Sequence, residues 1–401
     1  MKDTRRNFLK KSALLSASLL VPDFLRAFGS LANPTQFNGK RLVIIQLSGG
    51  NDGLNCVVPY RDDTYFKLRP GIGLTEKQRI NLTDEVALNL DLTELADLYN
   101  AGSLSIINNV GYPNPNRSHF RSTDIWQSAS DENQYWNTGW VGRYLDSMCT
   151  DACAKPHTAI ELDDTLSLAL RGEKTKGLAF HDPKVLYLSA QNEIIQKIAQ
   201  SPFEDDHESV ADFLHKSLRD TTQSADYIYA QSKIYKSQVT YPISDFARRM
   251  KSIAELICSG AETQVYYLSL PGFDTHAAQL GMHSRVLKTY SQTIKAFCED
   301  LKKNNLFDDT VIMTFSEFGR RVKQNASKGT DHGTANNVYI INGKLNKPGI
   351  YNEMPNLVDL DEGDLKYTID FRQVYATILQ KSLNKTENSI LGRDFQTLDF
   401  L

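Results

Sequence analysis

Six short apolar runs constrain this fold more than anything else in the chain: Arg41–Leu47, Leu104–Val110, Lys184–Ser189, Gln264–Leu270, Thr310–Phe315 and Val338–Ile341. Most are continuous rather than alternating and rich in Val and Ile, as in strands buried on both sheet faces. Helical patterns separate them, at Leu92–Tyr99, Thr138–Met148, Ser209–Ser237, Ser244–Ser259, Gln279–Asn304 and Thr368–Ser382. Alternation of this kind predicts an α/β fold, a three-layer sandwich with a mostly parallel central sheet and helices on both faces. The stretch about 190–260 has few strands and much charge, and reads as a helical insertion. Residues 40–390 are expected to form a single domain, which 401 residues allow.

A hydrophobic fraction of 41% and a charged fraction of 23% exclude disorder. The net charge of −3 supplies no electrostatic reason for nucleic acid or an anionic membrane as partner. At the N-terminus, Thr4-Arg5-Arg6-Asn7-Phe8-Leu9-Lys10 resembles a twin-arginine export signature, and the apolar run Ala13–Pro22 follows it. Residues 1–33 are therefore expected to be a signal segment, with the twin-arginine translocase as a partner and a periplasmic or secreted destination. No later segment has the length of a transmembrane helix.

Four polar clusters follow strand-like runs. Open α/β sheets place ligands past the carboxyl ends of their strands. The first, Ser48-Gly49-Gly50-Asn51-Asp52-Gly53, lets a backbone approach a ligand, and Asp52 suits a divalent cation. The same residues also make a tight turn without one. The second runs from Asn116 to Asp124. Ser118 beside His119, between Arg117 and Arg121, suits an ester nucleophile flanked by anion-binding guanidiniums. The alternative is a helix N-cap at Ser118 or Ser122. The third is Phe273-Asp274-Thr275-His276, where Asp274 and His276 suit one metal, or a cap and a first helical turn. The fourth holds Glu317, Arg320, Arg321, Asp331 and His332. The other histidines, His157, His181, His207, His215 and His283, lack such surroundings. Cys149 and Cys153 either pair or share a helical turn, while Cys56, Cys258 and Cys298 read as core residues.

The motifs G-G-N-D-G-L-N, S-H-F-x-S-x-D-x-W, T-G-W-V-G-R-Y-L-D, G-F-D-T-H, S-E-F-G-R-R and G-T-D-H-G-T-A-N occur in that order. Together they resemble the bacterial exported proteins called domain of unknown function family 1501, over about residues 40–390. That family is grouped with the alkaline phosphatase and sulfatase superfamily. The resemblance implies an alkaline-phosphatase-like sandwich with a metal site at the strand ends. Asp52 matches its first-strand metal carboxylate, Ser118 lies near its nucleophile position, with Ser122 a competitor, and Asp274 with His276 matches its Asp–His pair. Where the superfamily has Asp-His at a strand end, this chain has Glu317-Phe318. Asp331-His332 then takes the place of the last histidine, and His119 is a candidate for the missing imidazole. The Cys-x-Pro-x-Arg signature of sulfatases is absent.

Two expectations follow. One is an exported metal-dependent hydrolase of phosphate or sulfate esters, acting on a small anionic ester or a glycan-linked substrate. Asp52, His119, Asp274, His276, Glu317, Asp331 and His332 would hold one or two zinc or manganese ions, Ser118 or water would attack, and Arg117, Arg121 or Arg320 would steady the ester oxygens. The other is a non-catalytic exported binding or assembly protein that retains the fold.

Overall fold

The computed structural model of the chain describes residue 37 and residues 39–149, 155–201, 210–386 and 388–401, with backbone alone at 210–213. The expected signal segment, His207 and Cys153 lie outside these residues. Cys149 is disulfide-bonded, and Cys56, Cys258 and Cys298 are free thiols.

Strand β1 (Arg41–Ser48) shows how the sequence sets the layers. Val43, Ile45 and Leu47 enter one hydrophobic core, while Leu42 and Ile44 enter another on the opposite face. A strand apolar on both faces has to lie between two helical layers. The other strands of its sheet are β2 (Leu104–Gly111), β3 (Ala159–Glu161), β4 (Leu178–Ala179), β5 (Val265–Pro271), β6 (Thr310–Phe315), β7 (Asn336–Ile341), β8 (Gly349–Ile350) and β9 (Ile369–Asp370). Their spatial order is β8-β2-β7-β6-β1-β5-β3-β4, with β9 also pairing β2. Strand β7 pairs antiparallel with β2 and β6, and the remaining pairs are parallel.

Helices α1 (Thr93–Asn100), α7 (Asp245–Cys258) and α8 (Gln279–Lys303) cover one face. Leu95, Met250, Ile253, Leu287, Tyr290 and Phe297 pack there. Helices α2 (His119–Ser128), α3 (Trp140–Asp146) and α9 (Phe371–Lys381) cover the other through Ile125, Trp126, Trp140, Phe371 and Tyr375. Trp126 stacks on both Phe315 and Phe371, at ring separations of 4.8 and 4.4 Å. Between β4 and β5 the chain is helical in α4 (Pro183–Ala190), α5 (Glu193–Gln200), α6 (Val210–Gln231) and α7. The described residues include no helix long and apolar enough to cross a membrane.

The run Lys184–Ser189, expected as a strand, is helix α4. Asp182 caps it by accepting from the Lys184 and Val185 amides at 2.8 and 3.1 Å, and Pro183 occupies the first turn. A short apolar run has no period that separates strand from helix, so the cap and proline decide. Strands β3 and β4, and a small antiparallel sheet of Val57–Pro59, Arg79–Asn81 and Val86–Asn89, escaped the sequence because each is only two to four residues long.

This topology gathers the chemistry at one edge. The loops after β1, β2, β5 and β6 all leave the carboxyl ends of parallel strands. Because β7 runs the other way, the loop that leaves β6 at Ser316 returns to the same edge at Asn336.

Candidate metal centre

Arg320 ties three of these loops together. Its side chain is fully buried. Nε donates to the Gly50 carbonyl at 2.6 Å, Nη1 to Thr330 at 2.8 Å, and Nη2 to Gly49, to Phe273 at 3.1 Å and to the Asp274 carboxylate at 2.7 Å. Gly49 (φ 118°) allows the close approach, since a Cβ there would strike the backbone of Asp274. Arg320 is thus committed to protein acceptors, which argues against the anion-binding role expected for it.

Around Asp274 three imidazoles converge. Its Oδ1 lies 2.9 Å from His276 Nε2, 3.3 Å from His332 Nε2 and 3.6 Å from His119 Nε2. Ligand atoms of His119, Asp274 and His332 all fall within 4.8 Å of one another, the spacing of a metal-binding group. The far nitrogens are anchored. His119 Nδ1 is 2.8 Å from Glu317 Oε1, His332 Nδ1 is 2.8 Å from the Arg117 carbonyl, and His276 Nδ1 is 3.4 Å from Asp331. Phe318 packs against the His119 and His332 rings at 4.8 and 4.7 Å.

Charge follows this geometry. The Glu317 hydrogen bond raises His119 above the usual imidazole value, while burial lowers His332. Burial would raise the Asp274 carboxyl, but the hydrogen bond and charge of Arg320 outweigh it and hold it at about 2. The Asn325 hydrogen bond lowers Asp331.

Several expected site residues do other work. Glu317 is 1% exposed, accepts from the Gly49 amide at 2.8 Å, and faces the outer nitrogen of His119 rather than the cluster's centre. Asp331 likewise faces the outer nitrogen of His276. The Asp52 carboxylate, cast as a metal ligand, is buried against Arg69 at 2.6 Å and also accepts from Gln279. Burial would raise it, yet the Arg69 charge holds it below the usual range. Arg121 turns from anion binding to the 131–134 turn, donating to the carbonyls of Asp131, Glu132 and Gln134 at 3.0, 2.7 and 2.6 Å. Ser122 is buried, donates to the Glu317 carbonyl at 2.5 Å, and is unsuited to attack. Ser118 is exposed and sits at the N-cap of α2 without a capping bond from its side chain. The Arg117 side chain, 37% exposed, ion-pairs with the buried Asp364.

Arg69, Asp364 and Phe318 also belong to this edge, although no sequence signal marks them as site residues. Arg69 and Asp364 come from distant loops with no motif around them. Phe318 stood in view beside Glu317 but carries no polar atom.

These features define a three-layer α/β protein with a histidine–aspartate cluster at the strand ends. The family model described as Protein of unknown function (DUF1501) matches residues 102–398, and the chain belongs to that family. No curated protein matches it. Among solved structures it is similar to the lipoteichoic acid synthase LtaP from Listeria monocytogenes, at 9% identity and TM-score 0.39, covering 91% of this chain and 75% of that one. It is also similar to the PsFucS1 sulfatase from Pseudoalteromonas sp., at 12% identity and TM-score 0.41, covering 91% and 72%. A third is a protein in the alkaline phosphatase superfamily from Vibrio parahaemolyticus, at 12% identity and TM-score 0.39, covering 90% and 70%. Likeness at this level carries no argument about chemistry.

Proposed function

We propose that this protein is an exported metal-dependent hydrolase of phosphate or sulfate esters. One observation carries the reading. A carbonyl only accepts hydrogen bonds, so His332 Nδ1 holds its proton toward Arg117, and a neutral ring then presents a lone pair at Nε2. Glu317 sets the same tautomer in His119, whose Nε2 is buried without a hydrogen-bond partner. Lone pairs of His119 and His332 and an anionic Asp274 oxygen therefore face one another, with His276 Nε2 2.9 Å from both His332 Nε2 and that oxygen. A cation resolves that repulsion, and imidazoles fixed through their outer nitrogens are how metal-ligating histidines are built.

His119, Asp274 and His332 would hold one divalent ion, with His276 against the same carboxylate. Nitrogen and carboxylate donors suit zinc, and manganese is the alternative. A bound ion supplies Lewis acidity toward an ester oxygen and lowers the pKa of a neighbouring hydroxyl or water. Ser118, next to His119 in the chain and exposed, is the hydroxyl best suited to attack. Glu317 keeps His119 oriented throughout. Phe318 also lines a cavity of about 400 Å³ with Tyr112, Asn116, Trp126, Asp361 and Tyr367, a suitable seat for the alcohol side of a glycan-linked ester.

A second reading is a non-catalytic exported binding or assembly protein. It is favoured by the commitment of Arg121 and Arg320 to protein acceptors, which leaves Arg117 as the expected guanidinium still partly open to an anion. Assay of the zinc- and manganese-loaded protein on phosphate and sulfate ester panels separates the two. Hydrolysis that disappears in Asp274→Ala supports the first, and a loaded protein inert on both panels supports the second. The export part rests on Arg5-Arg6, and replacement of both by lysine should retain the protein in the cytoplasm; undiminished export would contradict it.

A further inference from the structure

Asp364 has a completely buried carboxylate at the end of a tight turn. Asp361 and Asp364 exchange two backbone hydrogen bonds of 2.9 Å across Glu362 (φ 50°) and Gly363 (φ 90°), which places the carboxylate rigidly. Two arginines meet it. Arg117 Nη2 forms a close ion pair, and Arg321 Nε lies 3.8 Å away. Both arginines lead to the histidine cluster. The Arg117 carbonyl accepts from His332 Nδ1, and the chain runs from Arg117 through Ser118 directly into His119. The Arg321 amide donates at 3.0 Å to the carbonyl of Asp331, the residue before His332.

We infer that Asp364 is a positioning residue for the metal centre, holding Arg117 so that His332 and His119 present their inner nitrogens to one ion. The inference rests on the metal-site reading above. A buried carboxylate is costly unless paired, so removing its charge releases Arg117 from its place. Only the backbone of Arg117 touches a ligand, so the effect reaches the metal through geometry. Loss of such outer support typically weakens metal binding ten- to a hundredfold.

The test uses the full-length chain, zinc affinity by competition with a chromophoric chelator, and the visible spectrum of the cobalt(II) form. Asp364→Asn is expected to bind zinc about tenfold or more weakly and to shift the cobalt bands. Arg117→Gln should do the same, and the double variant should lose no more than the worse single one. Asp359→Asn, at an exposed ion pair, should match wild type. Wild-type affinity and spectrum in Asp364→Asn overturn the inference. Should that variant not fold, the same result in Arg117→Gln overturns it. Fully additive losses in the double variant contradict the route through Arg117. A wild-type protein that binds neither ion sinks the metal-site reading itself, an outcome distinct from the others.

Discussion

His119 and Glu317 meet through a 2.8 Å contact between Nδ1 and Oε1, and the carboxylate making it is 1% exposed. The pair fixes which imidazole nitrogen is left for a ligand. Glu317→Gln keeps an acceptor but loses the charge that makes the ring a stronger donor. Zinc affinity of that variant is expected to fall about tenfold or more, measured by chelator competition. An unchanged affinity would show that Glu317 serves the fold alone.

Asp52 and Arg69 form a buried ion pair with side chains 1% and 0% exposed. Arg69→Met leaves the carboxylate buried with Gln279 as its remaining side-chain donor, and should cost about 3–5 kcal/mol in urea unfolding. The exposed Lys197–Glu193 pair, one helical turn apart, should cost about 0.5 kcal/mol or less when Lys197 becomes Ala. Equal losses would contradict this account of Asp52.

Burial pushes the Glu161 carboxyl up to about 7 from 4.5, although the Ser167 amide donates to it at 2.6 Å. The folded protein then keeps a proton that the unfolded chain has released. Stability on this account is full below the unfolded value and falls as pH rises through about 7, by roughly 3 kcal/mol. Glu161→Gln should be more stable than wild type at about pH 8, and the two should coincide near the unfolded value. A stability gap independent of pH would exclude this origin.

His157 has the opposite sign. Burial pushes it down to about 4, while its Nδ1 pairs with Ser224 at 3.0 Å and its ring stacks on Tyr227. The unfolded chain binds the proton first. Stability is therefore full above the ordinary imidazole value of 6.5 and falls as pH drops toward 4. The advantage of wild type over His157→Gln should shrink across that window in urea titrations; a constant advantage would argue for packing alone.

Much of this was legible in the sequence for a physical reason. Strands buried on both faces, such as β1, β5 and β6, read as continuous apolar runs, and their ends mark the ligand edge. Asp274 and His276 stood out because they directly follow β5, and His332 because it sits beside Asp331 just before β7. What the sequence could not resolve was direction. Glu317 and Asp274 both follow strands, yet one faces the outer nitrogen of His119 and the other the inner nitrogens of three rings. That difference depends on loop geometry. Arg320 shows the same limit, since a guanidinium in a polar loop looks alike whether it binds a ligand or the loop itself. The partners of Asp52 and Arg117 come from separate loops, and no local pattern connects them.

The most direct test of the metal-dependent account is the zinc stoichiometry of the full-length protein and of Asp274→Ala, by elemental analysis after equilibration with zinc and removal of free ion. The account predicts one tightly held ion per chain in wild type and its loss in a folded Asp274→Ala. A wild-type protein that retains no ion, or a variant that retains it fully, would contradict it.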